Sequence, residues 1–225
     1  MDTRLEAGRF HAGLRLVEIV MKLLRIFAAL LLLAGGCLTA RAAYMHAKAE
    51  LAGILIRRAW NESLRTGKPQ PPWSWADTYP IARLRIPSLN YDEFVLEDAS
   101  PRNLAFGPAR LLSGAAMGES GNLVLAGHRT SWFRPLQGIS RGDTIRLDWY
   151  DAQRQLHTRT YAVSEIKAVN PDDVGLLVPT SEDALTLITC YPFGAGPTSP
   201  QRFVVRATPQ GSAVARSTAP SIQMR

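Results

Sequence analysis

"LTLITCYPF", Leu185 to Phe193, is an apolar run that meets a cysteine and then a turn. Leucine, isoleucine and threonine fill its first five positions, and Tyr-Pro-Phe-Gly follows Cys190, which is the pattern of a buried strand ending at that cysteine. Alternation puts Thr186, Ile188 and Cys190 on one face. Only one other cysteine, Cys37, occurs in the 225 residues. A free cysteine is commonly a small, inert core residue. A cysteine at a strand end also stands where loops build sites. The rest of the chain decides between these two readings.

Working outward, the alternation repeats. "IARLRIP" sets Ala82, Leu84 and Ile86 against Arg83 and Arg85, and "DTIRLDWY" sets Ile145, Leu147 and Trp149 against Thr144, Arg146 and Asp148. "GNLVLAGH" (121–128) is a near-continuous apolar run, as a central strand requires. "YDEFVLE", "TRTYAVSEIKAV" and "QRFVVRA" bring the total to about seven strands, separated by turn signals such as "RGD" (141–143) and "NPDD" (170–173). After residue 70 only short pieces near 100–105 and 133–139 read as helical. The pattern predicts an all-β barrel or sandwich of about 130 residues.

The N-terminal third is different. "IFAALLLLAGGCLTA", Ile26 to Ala40, carries no charge. Fifteen helical residues rise only about 22 Å against a hydrocarbon core of about 30 Å. Extending the helix to 23–43 closes the gap, with Arg25 and Arg41 snorkelling to the two interfaces. "ARA" (40–42) resembles a signal-peptidase site and "AGGC" (34–37) a lipoprotein box with Ala34 in place of the usual Leu. All three readings export the β-rich region. The Lys/Arg counts favour residues 1–22 on the cytoplasmic side.

"AKAELAGILIRRAWNESLR" (47–65) predicts a stalk helix with Leu51, Ile54, Leu55, Ala59 and Trp60 on one side. "TGKPQPPWSWADTYP" then breaks it. Trp73 and Trp75 share one side of this linker, either covering an edge of the domain or lying at the lipid interface. The expected division is 1–22 cytoplasmic segment, 23–43 transmembrane helix, 44–78 stalk and Pro/Trp linker, 79–208 β-domain, and 209–225 a disordered Ser/Ala/Pro-rich tail.

The net charge of +7 comes from scattered Lys and Arg, without a basic run or an aromatic–basic ladder. That argues against nucleic acid and suits work near anionic lipid or cell wall. Cys37 in a membrane and Cys190 in a folded domain cannot pair, and no C-x-x-C spacing exists for zinc, so Cys190 is a free thiol. No acidic cluster accompanies it, so no metal and no cofactor is expected.

Four histidines occur. His157 lies on the polar phase of its strand and reads as solvent-facing. His128 ends the apolar run "LVLAG"; it is either a hydrogen-bonded structural histidine or one placed at a sheet edge beside a site. If 185–190 and 202–207 pair antiparallel across the loop 191–201, Cys190 and Arg202 meet at one end of the hairpin. A guanidinium near a thiol favours thiolate and can donate to an oxyanion; otherwise such an arginine is a solvated edge residue. Thiol, imidazole and guanidinium together suit acyl transfer. "GHRTS" is not the G-x-S-x-G elbow of a serine hydrolase.

"LAGHRTSWF" (125–133), "TLITCYPF" (186–193) and the downstream Arg202 together resemble a sortase. "WADTYPIARLRIPSL" (75–89), "LAFGPARL" (104–111) and "LQGISRGDTIRL" (136–147) are similar to the sortase class of Gram-negative proteobacteria, so the resemblance covers roughly residues 72–208. It implies an eight-stranded sortase β-barrel. It implies cysteine transpeptidation of an LPxTG-like sorting signal through a thioacyl-enzyme on Cys190, with transfer to an amine acceptor. His128 would be the general acid/base and Arg202 the oxyanion or positioning group. Thr189 matches a motif position and would shape the substrate site. The partners implied are a substrate protein with a C-terminal LPxTG-like signal and an amine. The N-terminal helix would make the chain a single-pass inner-membrane protein with its domain in the periplasm. The loop "NPDDVGLLVPT" (170–180) offers Val174, Leu176, Leu177 and Val178 as an apolar trough for a Leu-Pro signal, unless it packs back on the barrel.

Three other functions compete. An L,D-transpeptidase places its histidine close before the cysteine, whereas His128 and Cys190 are 62 residues apart. A non-enzymatic tethered β-domain would have an unreactive Cys190. A peptidase would use water as the acceptor.

Overall fold

The computed structural model describes residues 3–151, 153, 155–173, 175, 182–194, 196 and 199–211. It divides into two compact units, Met1–Leu51 and Ala52–Arg225. No proline occurs before Pro69, and one helix, α1, runs from Thr3 to Thr66. The two helices expected from the sequence both lie on it, because "YMH" between them contains no breaker. In the first unit, Met21–Arg41 is long and apolar enough to cross a membrane, and its residues are exposed along the whole span. Its 21 residues rise about 32 Å.

In the second unit the end of α1 packs on the barrel. Ala52, Ile56, Ala59 and Trp60 are buried, a spacing of four, three and one that marks one helical face. The Trp60 ring lies 5.6 Å from Phe94 and 5.2 Å from Tyr150, and Ile56 joins Leu96 and Ala109. This corrects the expected face, since Leu51 and Ile54 are exposed. Helical periodicity allows either stripe; the aromatic rings on the barrel's outer surface choose between them. The helix stops where Gly67 turns left-handed (φ 70) and donates its N–H to the Ser63 carbonyl at 2.8 Å, a conformation glycine adopts freely. Beyond it the two linker tryptophans part: Trp73 packs edge-on against Phe106 at 5.0 Å, and Trp75 is exposed.

Eight strands follow: β1 Pro80–Ile86, β2 Tyr91–Leu96, β3 Ala109–Arg110, β4 Asn122–Ala126, β5 Thr144–Tyr150, β6 Leu156–Val169, β7 Ala184–Tyr191 and β8 Gln201–Pro209. Only the two-residue β3 had no sequence signal, being too short to alternate. Short 3-10 turns at Pro87–Leu89, Asn103–Ala105 and Arg134–Gly138 are the remaining helical pieces after α1 among the described residues. The strands close into a barrel in the order β1-β2-β3-β4-β7-β8-β6-β5. β5 returns to β1, with Leu84 opposite Leu147.

The core phases of β1 and β5 are those the alternation predicts. Ala82, Leu84 and Ile86 meet Ile145 and Leu147, Leu123 and Leu125, Leu185 and Leu187, and Val205 and Ala207. Each large aliphatic side chain so buried contributes about 1.5–3 kcal/mol. Two positions differ from expectation. Asp148, on the polar phase of β5, is buried, because Arg85 pairs with it and Thr158 donates to it at 2.8 Å. His157 is half-buried, on the same phase of β6 as Tyr161 and Val163. Register sets it opposite Trp149, on which it stacks at 5.4 Å while bonding Asp151 at 2.8 Å. The cross-strand partner, not the strand's own polarity, decides its surroundings.

Two pairings are parallel, β2–β3 and β4–β7. Parallel neighbours bring their C-terminal ends to the same edge, and an antiparallel hairpin returns its second strand to that edge. The ends of β4 and β7 and the start of β8 therefore converge at one mouth of the barrel.

Candidate active site

Cys190 and Arg202 are direct cross-strand partners in the β7–β8 ladder, and Val169 of β6 flanks Arg202 on its other side. The hairpin inferred from the sequence is thus present. Arg202 lies within the sheet between two strands rather than on a free edge. Leu185, Leu187 and Thr189 alternate toward the core, so Cys190 and Arg202 take the outward phase of the barrel wall. Cys190 is half-buried. One guanidinium nitrogen of Arg202, Nη1, donates to the carbonyls of Ser199 and Gln201 at 3.3 and 3.1 Å, which holds the side chain over its own strand start.

His128 approaches from the other side of β7. The parallel register pairs Ala126 with Ile188. Beyond the end of β4 the chain stays attached: Gly127 donates its N–H to the Ile188 carbonyl at 3.2 Å. The Thr189 hydroxyl donates back to the Gly127 carbonyl at 2.7 Å. Carried one residue further, the same alignment brings His128 level with Cys190. The His128 carbonyl accepts the N–H groups of Ser131 and Phe133 at 3.3 and 2.9 Å. Its backbone is therefore held in a tight turn while its residue is exposed. Gly127 is required by packing: a Cβ there would lie 2.8 Å from the ring of Phe133, a fully buried residue.

Thr189 has a place the motif alone did not disclose. It is 3 % exposed, and its hydroxyl is engaged by the segment carrying His128. Its hydroxyl is spent on that hydrogen bond within the barrel wall. Val174, Leu176 and Leu177, the expected trough residues, lie outside the described residues, as do 212–225 of the expected tail.

Sequence reading missed Arg129. An arginine in a loop reads as solvated, yet this one is 8 % exposed. Its guanidinium donates to the Pro192 carbonyl at 2.7 Å and to the Gly196 carbonyl, both in the turn that follows Cys190. Also missed was an aromatic cluster at the mouth, where Phe203 lies 5.9 Å from Tyr191 and 5.1 Å from Phe193. The signal for it was visible, since Tyr191 and Phe193 flank a proline directly after the cysteine.

A half-buried thiol, an exposed imidazole and a guanidinium, each at the end of a different strand of one barrel, form a set that suits nucleophilic acyl transfer. Comparison with known proteins gives this class its name. The Sortase domain family model matches residues 84–210, more than half of the chain, and the chain belongs to the sortase family. It is similar to Sortase A of Bacillus anthracis, 34% identical over 114 residues that cover 49% of this chain and 51% of that protein. It is similar also to Sortase D of Bacillus subtilis (strain 168), 29% identical over 123 residues that cover 54% of this chain and 60% of that protein. The chain thus spans between half and three fifths of the length of these relatives. Among solved structures, Sortase A from Corynebacterium diphtheriae superposes with a TM-score of 0.54 at 25% identity, covering 68% of this chain and 69% of that one.

Proposed function

We propose that the chain is a membrane-anchored cysteine transpeptidase that cleaves an LPxTG-like sorting signal and passes the acyl group to an amine. The thiolate of Cys190 attacks a peptide carbonyl, and the carbonyl π-electrons move onto oxygen, which Arg202 stabilises. The C–N bond then breaks as His128 hands a proton to the leaving amine, and a thioester remains on Cys190. An incoming amine attacks that thioester, His128 takes its proton, and the thiolate leaves. The observation that carries the reading is the pairing of Cys190 with Arg202 in one ladder, with His128 tied to the opposite side of the same strand through Gly127.

In this reading residues 23–43 anchor the chain in the inner membrane, 44–78 connect, and 79–208 act on the extracytoplasmic side. The motifs around Trp75–Leu89 and Leu104–Leu111 favour the proteobacterial class of the family, whose partner would be a protein bearing a C-terminal sorting signal.

The test uses the full chain in detergent micelles, a panel of LPxTG-like peptides and an amine, with Cys190→Ala as control. Mass spectrometry should find a thioacyl adduct on Cys190 and an amine-transfer product, both absent from the control. A folded protein that gives neither product across the panel overturns the reading. Hydrolysis without transfer would make it a peptidase.

A further inference from the structure

Hydrogen bonds join Gly127 and Arg129 to residues on both sides of Cys190, and they alternate with the two reactive candidates. Gly127 is bonded to Ile188 and Thr189, and Arg129 is bonded to Pro192 and Gly196. His128 sits between two tied residues on one segment. Cys190 sits between tied residues on the other. The exposed His128 and half-buried Cys190 stay available while the backbone on both sides of each is pinned.

We propose that Arg129 is a positioning residue: it fixes the turn after Cys190 against the turn that carries His128, and so sets the distance at which thiol and imidazole work. The proposal rests on the transpeptidase reading for its kinetic consequences. A guanidinium this deeply buried must find acceptors, because burying it without them costs several kcal/mol. Among its acceptors are two carbonyls four residues apart in one turn. The two Nη atoms lie in one rigid plane, so satisfying both carbonyls sets where Pro192 and Gly196 lie relative to Arg129. A lysine would supply charge without that fork. Thr189 and Gly127 join the strand ends; Arg129 joins the segments that follow them.

The experiment compares Arg129→Gln and Arg129→Lys with wild type, all in a Cys37→Ser background so that Cys190 is the sole thiol. Arg159→Gln is the structural control, because it breaks the Arg159–Asp183 ion pair (3.1 Å) just before β7 begins, at the opposite end of the strand from Cys190. Three quantities are read: kcat and KM on an LPxTG-like peptide, Cys190 alkylation by iodoacetamide, and amide hydrogen exchange over 192–196.

In Arg129→Gln, kcat should fall by about 10- to 100-fold with KM within about threefold, as expected for misplacement on the order of 1 Å. Alkylation should change and exchange over 192–196 should quicken. Arg129→Lys should recover part of the kcat loss, and Arg159→Gln should keep wild-type values for all three.

The proposal is overturned if Arg129→Gln, folded, matches Arg159→Gln in kcat or leaves 192–196 exchange unchanged. If the Gln variant does not fold, the Lys variant decides: wild-type kcat and exchange overturn the proposal, and reduced kcat with KM kept supports it. If wild type turns over no peptide, the transpeptidase reading fails separately. Alkylation and exchange then judge Arg129 alone, with changes in both supporting it and an unchanged value in either overturning it.

Discussion

The Thr189 hydroxyl donates to the Gly127 carbonyl at 2.7 Å, so the residue before the cysteine holds the residue before the histidine. Thr189 lies in β7 and Gly127 one residue past the end of β4, and both are buried. Thr189→Val keeps the shape and deletes the donor, leaving a buried carbonyl short of a partner. The expected cost is about 1–3 kcal/mol, read as a lower Tm. Activity should fall by about tenfold as the two reactive candidates lose register. Thr189→Ser, which retains the hydroxyl, should stay close to wild type in activity.

Gly127→Ala tests the same junction by volume. Its Cβ would meet the Phe133 ring at 2.8 Å, and the ring has no exposed side to move toward. Overpacking of this kind costs about 1–3 kcal/mol. Thermal denaturation should show that loss, and Gly127→Ala with Phe133→Leu should regain part of it.

Arg202→Lys keeps the charge and loses the planar fork. In the proposed mechanism kcat/KM should drop on the order of 100-fold while the fold persists. Steady-state kinetics beside a circular dichroism melt checks both halves. Wild-type activity would make Arg202 a purely structural strand-start residue.

Glu93 gives a pH prediction. Register sets it opposite Leu84 on the core-facing phase of β2, and burial, reinforced by the charge of Asp92, pushes its carboxyl above the ordinary 4.5. The unfolded chain releases this proton at lower pH than the folded one. Stability contributed by the protonated form is therefore full below 4.5 and is lost as pH rises through the higher folded value. Glu93→Gln removes the penalty. Its Tm at pH 7 should exceed that of wild type by about 2 °C, and melts at pH 4 should bring the two together.

The strands were legible because each must present one apolar face. "IARLRIP" and "DTIRLDWY" announced Leu84 and Leu147, and "ALTLITC" announced Leu185 and Leu187, all of which the barrel buries. The apolar stretch of α1 was legible as well, because residues 26–40 carry no charge. The Cys190–Arg202 hairpin was legible as a conditional: two strand patterns flank the loop 191–201, and the antiparallel pairing of β7 with β8 meets the condition.

The features that the sequence could not determine depend on partners remote in the chain. The sequence put Leu51 and Ile54 with Trp60 on one side of α1, and the structure buries Ala52 and Ile56 in their place, because Phe94 and Tyr150 receive Trp60. His157 read as polar and exposed because only pairing with β5 sets it on Trp149. Arg129 carried no signal in the sequence, because its acceptors lie 63 and 67 positions away. The sequence by itself determined the longer strands and the chemical types of the candidate residues, since local apolar periodicity is written residue by residue. The parallel β4–β7 pairing, a long-range contact, decided that histidine and cysteine end at the same mouth of the barrel.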